Sequence, residues 1–136
     1  MWRKSATGRM EWFNAAFITY FLNPRNVKPS DYLGANDYQV WPKGIAHQFR
    51  KADKWVMQTG LIFAGAELTE VEPGIFEEVR AIKFPFRGGT FGVAIPAALQ
   101  DTDAARHIEN IVLLKKLERR ERELTAVLNA ADSGLN

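Results

Sequence analysis

The stretch HQFRKADKWVMQTGLI, residues 47–62, decides how the middle of the chain is read. Wound as a helix, it sends Ile45, Phe49, Ala52 and Val56 to one side, within about 60° of one another at 100° per residue. His47, Arg50, Lys51, Lys54 and Gln58 fall nearly opposite, with Asp53 on one flank. Pro42 suits the first turn of such a helix and Gly60 its end, so the reading is a helix over about 43–59 with an apolar inner face and a basic outer one.

Working outward, the preceding segment RNVKPSDYLGANDYQVWPKG is broken by proline and glycine and admits one short helix, Asp31 to Gly34, after Ser30. Before it, Trp12, Phe13, Ala16, Phe17, Tyr20 and Phe21 form a wide apolar stripe, which predicts a first helix from Gly8 to Leu22 ended by Asn23-Pro24. Downstream, LIFAGAELTEV and IFEEVRAIKFPF flank Glu72-Pro73-Gly74, a turn that predicts a β-hairpin. Pro85 is expected to end the second strand or confine it to an edge. A third strand, Thr90 to Ile95, follows Arg87-Gly88-Gly89.

From Asp101 to Ala130 the chain lacks Gly and Pro and is rich in Leu, Glu, Arg and Ala, which predicts one long helix. Its second half keeps Leu117, Leu124, Val127 and Leu128 as its apolar residues, a stripe suited to a second copy in a coiled-coil-like dimer. Residues 131–136 read as a disordered tail. The expected organisation is therefore an α+β domain over 1–100, a self-associating helix over 101–130, and the tail.

The 136 residues are 46% hydrophobic and 25% charged, values of a folded chain and not of a disordered one. With 0 cysteines, disulfides and thiolate metal sites are excluded. The uncharged run from Trp12 to Leu22 is too short to cross a bilayer, which takes about 20 residues, so the expected location is cytoplasmic. The two histidines, 47 and 107, belong to no HExxH or DxDxDG pattern, so no metal ligands or cofactor are expected. Adjacent Glu77 and Glu78 on a strand face opposite ways and cannot converge on one substrate atom, so catalysis is not expected.

Charge is uneven although the net value is only +2. Residues 1–54 carry nine Lys or Arg against four acids, whereas residues 55–110 carry four against eight. The order of helix, short helix, basic-faced helix and hairpin resembles the winged-helix variant of helix-turn-helix domains. Ile45, Phe49, Ala52 and Val56, then Gly60-Leu61-Ile62 and the Pro73-Gly74 tip, carry that resemblance over residues 10–84. It implies a three-helix core with a β-hairpin, duplex DNA as the partner, and a third helix in the major groove. Lys43, His47, Gln48, Arg50, Lys51 and Lys54 are then the DNA-contacting residues. Lysine and arginine would release counterions from phosphate, and Arg50 and Gln48 would read base edges.

Glu67, Glu70, Glu72, Glu77 and Glu78 depart from the pattern, because an acidic wing is repelled by phosphate. Arg80, Lys83 and Arg87 are available either to phosphates or to those glutamates. A second class of function is a protein-interaction adaptor or inhibitor. Eleven of the sixteen aromatics precede residue 56. They offer either a compact core or an exposed patch at Trp2, Tyr32, Tyr38 and Trp41.

Overall fold

Two short segments near the start, both with bulky side chains, extend the sheet beyond the hairpin and its following strand. In the computed structural model, which describes residues 1–100 and 102–134, Trp2–Lys4 forms β1 and Met10–Phe13 forms β2. They pair antiparallel, Trp2 with Phe13 and Lys4 with Met10, around a bulge at Arg3 and Lys4. The expected first helix over Gly8 to Leu22 is thus replaced in its first half by a strand. Asn14 makes the switch: its side chain accepts from the Phe17 backbone N–H at 3.1 Å and caps a helix that begins only at Ala15.

That helix, α1 (Ala15–Phe17), widens into a π-turn over Ile18–Leu22. The short helix α2 spans Pro29–Tyr32, with Pro29 rather than Ser30 opening it. The helix α3 spans Lys43–Thr59, preceded by Pro42 and closed by Gly60 in the left-handed conformation.

The strands β3 (Phe63–Glu72) and β4 (Ile75–Phe86) form the hairpin, and β5 (Gly89–Ile95) returns alongside β4. The five strands make one antiparallel sheet in the order β2-β1-β5-β4-β3. β4 is an interior strand of the sheet, yet at Pro85 it is an edge, as expected, and it ends one residue later. The reason is register: β3 pairing ends where Phe63 meets Lys83, so at Pro85 only β5 lies alongside, and the missing N–H costs no ladder bond on that side.

The architecture is α+β, and its five-stranded sheet with a strand-led start replaces the expected three-helix core with a wing. Strand alternation puts Trp2, Lys4, Glu67, Thr69, Val79, Ala81 and Lys83 on the face that α3 covers. Trp12, Phe84 and Phe91 stack on one another on the opposite face. The aromatic front is core rather than patch, since Trp2, Tyr32 and Trp41 are buried and only Tyr38 of the four is exposed.

The chain divides into two units, Met1–Gln100 and Asp101–Asn136. In the second unit, α4 spans Asp103–Gly134. It therefore runs past the expected end at Ala130, and of the expected tail only residues 135 and 136 lie outside the described residues. No helix among the described residues is long and apolar enough to cross a membrane.

Candidate functional site

A network of eight side chains, drawn from β1, β3, β4, α2, α3 and the turns before α3, runs through the core of the first unit. Trp41 Nε1 donates to the Tyr32 hydroxyl at 2.9 Å, and that hydroxyl donates to Asp37 Oδ1 at 2.6 Å. Lys4 Nζ donates to Asp37 Oδ2 at 2.6 Å and to Asp53 Oδ2 at 3.0 Å. Lys83 Nζ meets Asp53 Oδ1 at 3.4 Å and donates to Glu67 Oε2 at 2.9 Å. Arg50 approaches Asp53 Oδ2 at 3.7 Å, so three cations face three carboxylates.

Each of these charges was removed from water at a cost of several kcal/mol, recovered only through close opposite charges and hydrogen bonds. Lys4 and Lys83 are only 3% and 1% exposed, and both ammonium groups also lie within 6 Å of the Phe49 ring centre, at 5.7 and 5.2 Å. Burial alone would pull the Lys4 pKa down, but Asp53 and Asp37 raise it above the usual lysine range. Burial opposes ionisation of Asp53 too, yet Lys4 and Lys83 hold its carboxyl below the usual range. At Glu67 burial wins over Lys83 and pushes the carboxyl up. Burial also raises the Tyr32 hydroxyl, which stays a neutral donor.

The network borders a cavity of about 30 Å³, walled by Trp2, Phe17, Phe21 and Phe49 with Lys4, Glu67 and Lys83 on its polar side. Roughly 10–15 Å³ holds one water, so the space admits about two. Trp2 lies flat on Gly92, where any side chain would collide with the indole. Its Nε1, in a residue only 6% exposed, has no hydrogen-bond partner among the described residues. A buried donor without an acceptor costs about 1–3 kcal/mol, so the cavity is unbalanced toward donors. Outside it, between α3 and β3, lies a groove of about 640 Å³ lined by His47, Lys51, Trp55, Phe63 and Glu67.

The sequence-predicted DNA residues separate into two groups. Lys43, His47, Lys51 and Lys54 are exposed on α3. Gln48 instead clamps the edge strand, exchanging hydrogen bonds with the Leu68 backbone at 2.8 and 3.0 Å. Arg50 turns inward against Asp53 and Gly8, where a β-carbon would strike its guanidinium. Of the hairpin charges, Lys83 pairs with Glu67, and Glu70 takes Arg25 at 3.0 Å. Sequence reading left Lys4 and Asp37 without a role. Their partners lie 33 and 49 residues from Lys4, and no local spacing announces such contacts. On α4 the proposed contact residues Leu117, Leu124, Val127 and Leu128 are 54, 59, 64 and 58% exposed.

Fold and site together define an α+β domain whose sheet and helices enclose a charged, aromatic-walled cavity. Solved structures of similar fold are those of VqmA. One, VqmA bound to DPO, superposes with a TM-score of 0.55 at 21% identity, over 68% of this chain and 50% of that one. The other, the Vibrio cholerae VqmA dimer in the absence of its target DNA, reaches a TM-score of 0.56 at 20% identity over 71% and 47%. The likeness is one of fold, and the chain spans about half the length of these structures. No family model matches the chain, and no curated protein sequence does.

Proposed function

We propose that the chain is a regulatory receptor module: the unit 1–100 binds a small polar molecule in its core, and α4 joins two copies through Leu117, Leu124, Val127 and Leu128. The observation that carries this reading is the cavity itself, where the unpartnered Trp2 indole, Lys4 and Lys83 face aromatic walls. A few convergent polar groups in an apolar enclosure mark a small-molecule site, and a ligand larger than two waters widens this one as it enters. The VqmA structures support it from the side of fold, one carrying DPO and the other described as a dimer with a target DNA among LuxR-type receptors. The role is binding rather than catalysis, because Asp37 and Asp53 are held by ammonium groups and neither is placed as a free base. The location proposed with this reading is the cytoplasm.

The test is titration of the full chain with DPO and a panel of small polar heterocycles, following the indole N–H resonances. A ligand of the cavity shifts Trp2 and leaves the exposed Trp12 and Trp55 unmoved. At a hundredfold excess over Kd it adds about 2.7 kcal/mol of stability. A Trp2 resonance indifferent to every compound, DPO included, would sink the reading.

Duplex DNA bound through α3 is the second reading, favoured by the exposure of Lys43, His47, Lys51 and Lys54. Replacing Lys43, Lys51 and Lys54 by alanine should lower the salt dependence of DNA binding by about 0.9 per lost phosphate contact. Arg50 stays intact in that variant because its place is structural. Wild type with no salt-dependent binding removes this reading.

A further inference from the structure

We propose that the cavity takes a small carboxylate, which reaches it from the α3–β3 groove and displaces Glu67 from Lys83. This rests on the receptor reading above and gives its ligand a chemical class.

The donor count makes the first argument. Lys83 Nζ spends itself on Glu67, Asp53 and the Phe49 carbonyl. Lys4 Nζ has three N–H bonds and spends two of them, on Asp37 and Asp53. The Trp2 indole spends none. Strand β1 thus holds two spare donors at the cavity wall, on Trp2 and Lys4, and Glu67 is the one carboxylate among its lining residues. Such a space selects an acceptor, and two ammonium groups beside it favour an anionic one.

Geometry makes the second argument. Among the described residues, Glu67 is the one that lines both the inner cavity and the outer groove. Its side chain, itself 3% exposed, is therefore the partition between them, held in place by Lys83 at 2.9 Å. An incoming carboxylate that takes over Lys83 opens that partition and also frees the volume Glu67 had occupied.

Charge balance supplies the consequence. The core holds Lys4, Lys83 and Arg50 against Asp37, Asp53 and Glu67, and an added anion leaves it one negative charge in excess. Around Glu67 stand Lys83 from β4, Asp53 from α3 and Lys4 from β1, with His47 and Lys51 of α3 lining the groove. Displaced from Lys83 into this buried place, Glu67 takes a proton from solvent and neutrality is restored. Binding then falls about tenfold per pH unit once free Glu67 is ionised.

The experiment titrates the full chain with sodium propionate, with propionamide as its neutral twin and sodium chloride as the ionic-strength control. It reads the Trp2 indole resonance, and calorimetry in two buffers of different ionisation heat counts protons. Propionate should saturate with uptake of one proton, and propionamide should bind at least tenfold more weakly. Glu67→Gln should bind propionate with no proton uptake, and Lys83→Met should lose binding. Propionamide binding as well as propionate, or propionate binding with no proton taken up, overturns the carboxylate proposal. If DPO moves Trp2 and propionate does not, the proposal also falls while the receptor reading stands. If nothing moves Trp2, the receptor reading falls with it.

Discussion

The two units of this chain invert each other. In Met1–Gln100 charged side chains are hidden: Lys4, Lys83, Asp37, Asp53 and Glu67 are all buried. In α4 the apolar side chains are shown, from Ile111 through Leu128. Each inversion runs against the default in which apolar groups bury and charges stay wet. A buried charge network is weak support for stability, because apolar residues of the same volume often serve as well, but it fixes where polar groups stand. An exposed apolar stripe contributes nothing to its own helix and gains only when a second surface covers it. The first unit thus holds polar groups in place around a space, and the second leaves its apolar groups open.

The largest expected effect breaks the network at its centre. Lys4 is the one residue bonded to both Asp37 and Asp53, so Lys4→Met leaves Asp37 with the Tyr32 hydroxyl alone and Asp53 with the longer contacts to Lys83 and Arg50. Breaking a buried pair in this way costs about 3–5 kcal/mol. Urea denaturation of the chain should show the midpoint falling accordingly. A loss under about 1 kcal/mol would mean that the aspartates find water or other partners, and the contrast between the units would lose its first half.

The second effect acts on α4. Leu117→Glu with Leu124→Glu places charges on the exposed stripe, and each lost leucine contact is worth about 1.5–3 kcal/mol. Sedimentation equilibrium should show association weakened at least about 100-fold, with the far-UV helix signal of the isolated fold retained. A wild-type chain that sediments as a monomer ends the dimer proposal outright.

How much of this was legible in the sequence follows from how local each cause is. The α3 helix is bounded by Pro42 and Gly60, and the hairpin is turned by Pro73-Gly74. These are short-range effects, and they stand where periodicity and turn chemistry put them. The strands β1 and β2 escaped because each is only a few residues long: β1 gains its identity from β5 far along the chain, Trp2 from Gly92 in particular, and β2 then pairs with β1. Phe13, Phe17 and Phe21 share helical spacing, so the stripe read as one helix although Phe13 sits on a strand. The site suffered most. Asp53 stood on the flank of α3 and Glu67 and Lys83 looked like hairpin surface charge, yet the fold draws all three inward. The same fold turned Arg50 and Gln48 from DNA-reading candidates into struts.

The smallest effect sharpens the comparison within the first unit, where Asp53 and Glu67 share Lys83 yet are pushed in opposite directions. Asp53 is depressed, so its contribution to stability is complete above the ordinary aspartate range and fades only as pH falls below it. Glu67 is raised from a reference value of 4.5, which reverses the sign. The folded state holds the Glu67 proton more tightly than the unfolded state, so stability falls as pH rises from that reference value through the folded one. Wild type should therefore lose stability as pH rises above about 4.5 and through the folded Glu67 value, by the amount this one group supplies. Glu67→Gln removes the titration and keeps the shape, so its melting temperature should be flatter over that window while the Asp53-driven loss in acid persists. A Glu67→Gln profile parallel to wild type would show that Lys83 cancels burial at Glu67. The partition between cavity and groove would then be a permanently charged pair.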